Sequence, residues 1–300
     1  MLNFYDYIKA HPGEIRQFSC RDLLFLINEC PPDFIKEEDW AEHNAFLYVT
    51  NGRHNLYSRE RAWHLQTGST VFIKKGGLGI ERVDKDAFCA LMFYVPDEYI
   101  RSFIRENAAM IPPPDLSILS TDNVLPIQTT AVMTAFYQSV LTYFSSGIQP
   151  TESLLELKVR ELLLNIIITK NNPELIGYFY KLAFTNEDDL RQIMEANCLY
   201  NLHLHEYARL CHRSLSSFKR DFFAVYSTAP GRWLLEKRLD AAARLLIRSQ
   251  KTVLDAALES GFKNMAHFDR VFKQHFGLSP LQYRKRFSAK SISPAGSVNF

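Results

Sequence analysis

Short apolar runs alternate with turn residues through the first third of the chain. One run covers residues 45–49, and Asn51 and Gly52 follow it as a pair that tolerates positive φ and favours a hairpin turn. The glycines at 76, 77 and 79 predict a further turn. The remaining runs lie at residues 56–57, 63–65, 70–73 and 87–95. Strands this short, with turns roughly every 8 to 12 residues, predict a small β-barrel or sandwich over about residues 20–110.

Helical periodicity replaces this alternation further along the chain. Apolar side chains recur at steps of three to four residues over residues 132–144, and a second helix opens at Thr151. This helix bears Leu155, Val159, Leu162 and Ile166 on one face and Leu154, Leu157, Leu164 and Ile168 on another. Two interpretations fit this pattern: a helix buried once in its own domain and once against a partner, or an ordinary core helix. The spacing loosens over residues 171–184, before a predicted capping box at Thr185 and Asp188.

A repeat with a period of 49 to 50 residues occupies the C-terminal third. Each copy has, in the same order, a small residue in a short helix, a capping residue, two phenylalanines four residues apart, a proline and an aromatic residue. These are Ala208, Ser214, Phe218, Phe222, Pro230 and Trp233 in the first copy, and Ala257, Asn264, Phe268, Phe272, Pro280 and Tyr283 in the second. Because a small residue lets two helices cross closely and the cap satisfies free N–H groups, each copy predicts a helix-turn-helix.

The phenylalanine pair decides which face of each second helix points outward. Residues at i and i+4 share one face of a helix, so a buried pair turns the opposite face to solvent. The major groove of DNA admits a helix, and arginine pairs bidentately with guanine there. The residues predicted to face DNA are Ser216, Lys219 and Arg220 in the first copy, and Met265, Ala266, His267, Asp269 and Arg270 in the second. The sixteen residues 232–247 between the copies predict a helix of about 24 Å, which can hold both copies on one face of the duplex.

The charge distribution favours contact with a polyanion. The formal net charge is only +2, from 35 basic and 33 acidic residues. Residues 206–300 carry 17 of the Lys and Arg residues but only 7 of the Asp and Glu residues, so the rest of the chain is acidic. A basic C-terminal third on an acidic body is expected where one domain binds nucleic acid.

The second copy resembles the signature of the AraC/XylS family of transcription regulators from Gly261 through Arg284. The resemblance covers about residues 187–287, a third of the chain. It implies that the residues predicted to face DNA do lie in its grooves, and that the N-terminal domain senses a signal or mediates dimerisation. The first copy departs from the family pattern, because His212 stands at the usual turn glycine and Ser-Thr-Ala at 227–229 replaces Gly-x-Ser.

Two inputs fit the N-terminal domain. Its aromatic residues predict a ligand pocket lined by Phe46, Tyr48, Trp63, Phe72 and Phe93, although the same residues suit a dry core. Residues 233–238 resemble the branch of the family that includes regulators of type III secretion, in which a binding protein can supply the signal.

The sequence lacks the motifs of an enzyme. His43, His54 and His64 are about ten residues apart, without the closely spaced pair of a metal-binding cupin. The five cysteines include no CxxC pair, and no phosphate-binding loop or nucleophile elbow occurs. No apolar run approaches a membrane span of about 18 residues, and no secretory signal opens the chain. We therefore expect no catalysis, no cofactor, no metal site, no membrane contact and reduced thiols.

The sequence predicts an α+β protein, with a cupin-like small β-barrel and helices followed by an all-α tandem helix-turn-helix domain. We expect a sensing and dimerisation domain over residues 1–180 with helices at about 127–170, a DNA-binding domain over 186–290 and a flexible tail over 291–300. The predicted function is a sequence-specific transcription regulator, an activator, in the bacterial cytoplasm at the nucleoid. Its expected partners are double-stranded DNA, RNA polymerase, a small effector or regulatory protein, and a second copy of the chain. The alternatives are a non-catalytic protein–protein interaction module and a metal-dependent cupin enzyme.

Overall fold

The protein folds into two compact units, residues 1–188 and 189–300. The computed structural model describes residues 1–30, 36–58, 61–83, 88–111, 113–115, 119–120, 122–185 and 189–288. The predicted capping residue Asp188, the predicted domain boundary at residue 186 and the predicted tail 291–300 lie outside the described residues. The predicted order of a β-rich domain followed by a helical domain is confirmed.

The described strands of the first unit form two sheets. The strands are β1 (Leu2–Asn3), β2 (Gln17–Cys20), β3 (Leu23–Cys30), β4 (Lys36–Ala41), β5 (Asn44–Asn51), β6 (Arg53–Tyr57), β7 (Ala62–Gln66), β8 (Thr70–Ile73), β9 (Gly76–Arg82), β10 (Phe88–Val95) and β11 (Val124–Ile127). The first sheet has the order β1-β4-β9-β6-β7, and the second has the order β11-β8-β5-β10-β3-β2. Every pairing is antiparallel except that of β1 with β4.

Five α-helices lie in the described part of residues 1–188. They are α1 (Phe4–Ala10), α2 (Asp97–Glu106), α3 (Ala131–Ser146), α4 (Glu152–Thr169) and α5 (Pro173–Phe184). The six-stranded sheet is buried on both faces, because one face packs against the other sheet and the opposite face packs against α2 to α5. The predicted helices at about 127–170 correspond to α3 and α4.

Helix α5 corrects the prediction of a loose connection over residues 171–184. Pro173 occupies its first turn, where the missing N–H costs nothing. Leu175, Phe179 and Leu182 then follow at helical spacing and are buried against the rest of the unit. The dipeptide Asn172-Pro173 was therefore the sequence signal of a helix start.

Strand β9 corrects the prediction of a turn at the glycines. Gly76, Gly77 and Gly79 lie inside this strand, where Gly79 is paired with Tyr57 of β6. A Cβ atom on Gly79 would lie 2.0 Å from the Tyr57 ring, so the glycine is required by a close approach and not by a turn.

The predicted pocket residues do not share one interior. Phe46, Tyr48, Phe72 and Phe93 belong to the cluster between the six-stranded sheet and the helices, whereas Trp63 of β7 belongs to the cluster between the two sheets. Tyr48 stacks on Tyr137 of α3 with ring centroids 4.2 Å apart. The five residues therefore lie in two separate interiors, because alternate residues of a strand point to opposite faces of its sheet.

A buried ion pair joins the sheet to two of the helices. Lys75 Nζ donates to Asp97 Oδ2 at 2.5 Å, and Asn44 Nδ2 donates to Asp97 Oδ1 at 2.6 Å. Tyr178 OH of α5 donates to Asn44 Oδ1 at 3.4 Å. The network therefore connects β5, the start of α2 and α5, and removing one partner would leave an uncompensated charge in the interior.

The described part of the second unit is helical. Its helices are α6 (Asp189–Asn197), α7 (Leu204–Leu210), α8 (Leu215–Tyr226), α9 (Pro230–Arg248), α10 (Val253–Glu259), α11 (Met265–Phe276) and α12 (Pro280–Ser288). Helices α7 and α10 have 7 residues each, and α8 and α11 have 12 each. The predicted repeat is thus a repeat of structure.

Candidate nucleic-acid interface

Two helix-turn-helix units form the candidate interface. The first consists of α7 and α8, and the second consists of α10 and α11. Ser214 begins α8 by accepting from the Ser217 N–H at 3.2 Å, and Asn264 begins α11 by accepting from the His267 N–H at 2.9 Å. Both predicted caps are confirmed, and each satisfies an N–H group that has no partner within its helix.

The turns of the first unit keep left-handed geometry without glycine. His212 has a φ of 53° where the second unit has Gly261 at 87°, and Ser227 has a φ of 54° where the second unit has Gly277 at 73°. The departures from the family pattern at these positions therefore leave the turn geometry in place. A left-handed conformation costs a residue with a Cβ atom about 1 kcal/mol or more, so the first unit holds this geometry under strain.

An aromatic cluster fixes the second helix of each unit. Phe218, Phe222, Phe268 and Phe272 are fully buried. Phe222 packs edge-on against Trp233 of α9 at 5.7 Å, and Phe272 packs edge-on against Tyr283 of α12 at 5.3 Å. The helix that follows each unit thus presses an aromatic ring on the same face, which leaves the opposite face of α8 and α11 outward.

The outward faces hold nearly all of the predicted DNA-facing residues. Ser216, Lys219 and Arg220 on α8, and Ala266, His267, Asp269 and Arg270 on α11, are exposed. Met265 is the exception, because it is half-buried and packs against the core cluster of the second unit. Its position at the start of α11 leaves part of the side chain at the surface.

Arg220 is held in place by neighbours on its own helix. Its Nε donates to Asp221 Oδ1 at 3.0 Å, and its Nη2 donates to Ser217 Oγ at 3.1 Å. Arg213 pairs with the other carboxylate oxygen of Asp221 at 3.2 Å. Desolvation opposes the charge, but hydrogen bonds from Arg220 and Ser217 hold the pKa of the Asp221 carboxyl below its usual value. The guanidinium of Arg220 therefore projects from a charged cluster with most of its surface exposed.

The outward face of α11 extends further than the sequence analysis assigned. Lys273 and Gln274 are exposed and lie one turn beyond Arg270 on the same side of the helix. Continuing the helical spacing from Phe268 and Phe272 by one turn would have found them. They bring a positive charge and an amide to the face that carries Asp269 and Arg270.

Helix α9 joins the two units as a rod of 19 residues, about 28 Å long. Its side chains also bind the segment that precedes the first helix-turn-helix. Arg238 Nε donates to the Cys198 carbonyl at 2.9 Å, and its Nη2 donates to the Tyr200 carbonyl at 2.8 Å. Lys237 Nζ pairs with Glu195 of α6 at 2.8 Å.

The N-terminal part of the chain, residues 1–188, contains a cavity of about 50 Å³ between its two sheets. Its lining includes the aromatic residues Phe88 and Tyr94 and the polar residues Asp39, His43 and His54. Burial raises the pKa of the Asp39 carboxyl to about 6. The space suits a few water molecules or a small group.

Within the described ranges, no group of three or more His, Cys, Asp or Glu residues is arranged to hold a metal ion. No described helix combines the length and apolar character that crossing a membrane requires. Among the described residues, Cys20, Cys89, Cys198 and Cys211 form no disulfide.

Family models match part of the N-terminal compact unit and part of the C-terminal compact unit. Residues 44–178 match the family model of the ExsA N-terminal regulatory domain, and residues 207–286 match that of a helix-turn-helix domain. The chain is 24% identical over 244 residues to the virulence regulon transcriptional activator VirF of Yersinia enterocolitica, covering 79% of this chain and 88% of that protein. It is 22% identical over 223 residues to the transcriptional regulator ExsA of Pseudomonas aeruginosa, covering 74% and 78%.

Solved structures of similar proteins were found as well. ToxT from Vibrio cholerae is 11% identical, with a TM-score of 0.40 over 89% of this chain and 99% of that one. The DNA-binding domain of AdpA in complex with a target DNA is 25% identical, with a TM-score of 0.33 over 34% and 92%.

The tandem helix-turn-helix units and the matched N-terminal domain define a DNA-binding transcription regulator with an N-terminal regulatory domain. The C-terminal helical domain is an AraC-type helix-turn-helix domain, and its second helix-turn-helix carries the AraC/XylS signature.

Replacing Ser227 by glycine should stabilise the first helix-turn-helix. The change removes the strain of a left-handed residue with a Cβ atom at the end of α8, and we expect the free energy of unfolding to rise by about 0.5–1 kcal/mol. The measurement is hydrogen exchange of α8 and α9 by mass spectrometry in the full chain. Gly277→Ser is the mirror control and should speed exchange in α11 and α12. Faster exchange in the Ser227→Gly protein would show that the side chain stabilises this turn.

Substitutions on the two faces of α8 and α11 should separate binding from folding. Arg220→Ala and Arg270→Ala should weaken specific DNA binding by about 1–3 kcal/mol without lowering the melting temperature. Phe222→Ala and Phe272→Ala should each cost about 3–5 kcal/mol of stability, because both rings are fully buried. Thermal melts and footprinting on the same four proteins provide the measurement.

Arg232→Ala is the matched control for these arginine variants. Arg232 lies on α9, is mostly exposed and pairs with Glu236 at 3.0 Å, so its loss removes one charge from outside the proposed interface. We expect it to bind DNA nearly as the unchanged protein does. An Arg220→Ala protein that melts much earlier than the unchanged protein would place the DNA-facing surface on the wrong side of α8.

Proposed function

We propose that the chain activates transcription by gripping two adjacent major-groove segments of double-stranded DNA, one with each helix-turn-helix unit. The observation that carries this proposal is the pair of outward faces on α8 and α11, which bear Lys219, Arg220, Arg270 and Lys273. Helix α9 links the two units directly. The cationic side chains suit phosphates and guanine edges, and the helices have the dimensions that the groove accepts.

The first unit, residues 1–188, regulates this DNA-binding activity in response to a protein partner or a small effector. The match to the ExsA N-terminal regulatory domain supports a regulatory role. The small volume of the inter-sheet cavity favours a protein as the input over a large ligand. An activator also contacts RNA polymerase, and VirF is named a transcriptional activator. The protein acts at the nucleoid in the bacterial cytoplasm and catalyses no reaction.

Binding of the full chain to promoter fragments should depend steeply on salt. Each phosphate contact contributes about −0.9 to the slope of log K against log salt, so about six contacts give a loss of about a thousandfold between 50 and 200 mM. Fluorescence anisotropy with labelled fragments measures the slope, and DNase I footprinting should show two protected segments on one face of the duplex.

Lys219→Ala tests the origin of this slope. The variant should bind all sequences more weakly and reduce the slope by about 1, because one phosphate contact is lost. Binding that stays flat across the salt range, or the absence of any footprint, would contradict DNA recognition and favour a protein–protein interaction module.

A homodimer through α4 is part of the proposal. Leu157 and Ile168 lie on one side of this helix and are 58% and 60% exposed. Leu155 and Leu162, on its other apolar face, are buried in the core of the first unit. The two apolar faces therefore serve different purposes, and only the outer one is available to a second copy.

Leu157→Asp combined with Ile168→Asp should convert a dimer to a monomer without unfolding it. A pair of charged side chains in an apolar contact would be buried without partners, which costs several kcal/mol. Sedimentation velocity at tens of micromolar measures the effect. Gln138→Asp, an exposed change on the neighbouring helix α3, is the control. A monomeric unchanged protein at this concentration would rule out the dimer.

A further inference from the structure

Phe223 is an exposed aromatic residue on the second helix of the first unit. It follows the buried Phe222 directly, yet 58% of its surface is accessible. The other phenylalanines of the repeat, Phe218, Phe268 and Phe272, are fully buried. The core of the unit therefore accounts for Phe222 but gives no reason for a second ring at position 223.

The helical geometry places Phe223 on the proposed DNA-facing side. At 100° per residue it lies about 20° from Ser216 around the helix axis, and its azimuth falls between those of Lys219 and Arg220. It is seven residues after Ser216, which is about 10.5 Å along the helix, or about three base-pair steps of 3.4 Å. The ring thus continues the line of the outward residues by one turn.

The second unit shows a different chemistry at the same position. Lys273 is the counterpart of Phe223 at an offset of 50, and it is exposed on α11. A lysine suits the phosphate backbone, whereas a phenyl ring gains nothing from a polyanion. The apolar feature that the major groove presents is the 5-methyl group of thymine, and phenylalanine is one of the side chains that contact it.

We propose that Phe223 packs against a thymine 5-methyl group and so determines a base preference of the first half-site. This inference rests on the proposed placement of α8 in the major groove. The contact discriminates thymine from cytosine by the methyl group and gives the two structurally similar units different sequence preferences. Phe223 then gives α8 an apolar base contact at a position where α11 has the charged Lys273.

Deoxyuridine tests the contact, because it differs from thymidine only by the missing methyl group. The unchanged full chain first selects its site from a random duplex library. Each thymine of that site is then replaced singly by deoxyuridine, and the affinities of the unchanged protein and of Phe223→Ala are measured. We expect one thymine in the first half-site at which deoxyuridine weakens binding of the unchanged protein about fourfold, the value for one buried methyl-sized group. Phe223→Ala should be insensitive to that replacement.

Methyl rescue provides a second arm. At the same position a cytosine–guanine pair should weaken binding by the unchanged protein, and 5-methylcytosine should restore part of the loss. Phe223→Ala should not distinguish cytosine from 5-methylcytosine there. Phe223→Lys, which copies the second unit, should bind without this methyl dependence and with a steeper salt slope. Melting temperatures close to that of the unchanged protein are expected for both variants, because the ring is exposed.

The outcomes separate this proposal from the proposed function. If Arg220→Ala loses specific binding but no deoxyuridine replacement matters, the groove surface stands and the Phe223 contact is overturned. If Arg220→Ala and Lys219→Ala both bind as the unchanged protein does, the placement of α8 itself is wrong. A Phe223→Ala protein with unchanged DNA affinity and methyl sensitivity, but reduced transcription with purified RNA polymerase, would assign the ring to a protein contact and overturn the proposal.

Discussion

The buried phenylalanine pair of each helix-turn-helix unit is the constraint on which the rest of the interface depends. A pair at i and i+4 that faces inward fixes the rotation of the second helix, so the residues on the other side must face solvent. The ring of Trp233 or Tyr283 closes over the same pair from the following helix. One packing contact therefore sets both the direction of the outward face and the path of the chain that leaves the unit. The stability of the fold and the composition of the outward surface are therefore specified by opposite faces of one helix.

The separation between inward and outward positions explains how much of the C-terminal helical region could be predicted from the sequence. Caps, helix lengths and the inward phenylalanines are local properties, and each is visible in a window of about ten residues. The aromatic rings at 233 and 283 repeat with the same spacing, so their packing against the pair followed from the repeat. The error was at the ends of helices. Met265 packs partly inward, and Lys273 lies one turn beyond the point where the assigned face stopped.

The N-terminal region, residues 1–188, was less predictable because its six-stranded sheet is covered on both faces. In such a sheet the strands are apolar throughout, and alternation no longer shows which face points where. Strand β5 is buried at six consecutive residues, from Asn44 to Val49. The assignment of Phe46 and Phe72 to the helix side depends on α3 and α5, and α5 was itself missed. Gly79 shows the same limit, because only the ring of Tyr57 across the sheet explains it.

The two helix-turn-helix units have similar backbone structures, but Arg220 and Arg270 have different neighbours. Arg220 is held by Asp221 and Ser217, and Arg213 steadies the same carboxylate. Arg270 has His267 as its neighbour, with Nη2 3.3 Å from the histidine Nδ1. Since a side chain that is already ordered loses less conformational freedom on binding, the proposed DNA contact of Arg220 has a smaller entropic cost than that of Arg270. Asp221 would compete with DNA for the Arg220 guanidinium in that contact, which adds a desolvation cost to the first helix-turn-helix. The left-handed turns of the first unit add strain at His212 and Ser227, close to both ends of α8. The first helix-turn-helix thus combines a pre-ordered arginine with strained turns, whereas the second has glycine in both turns.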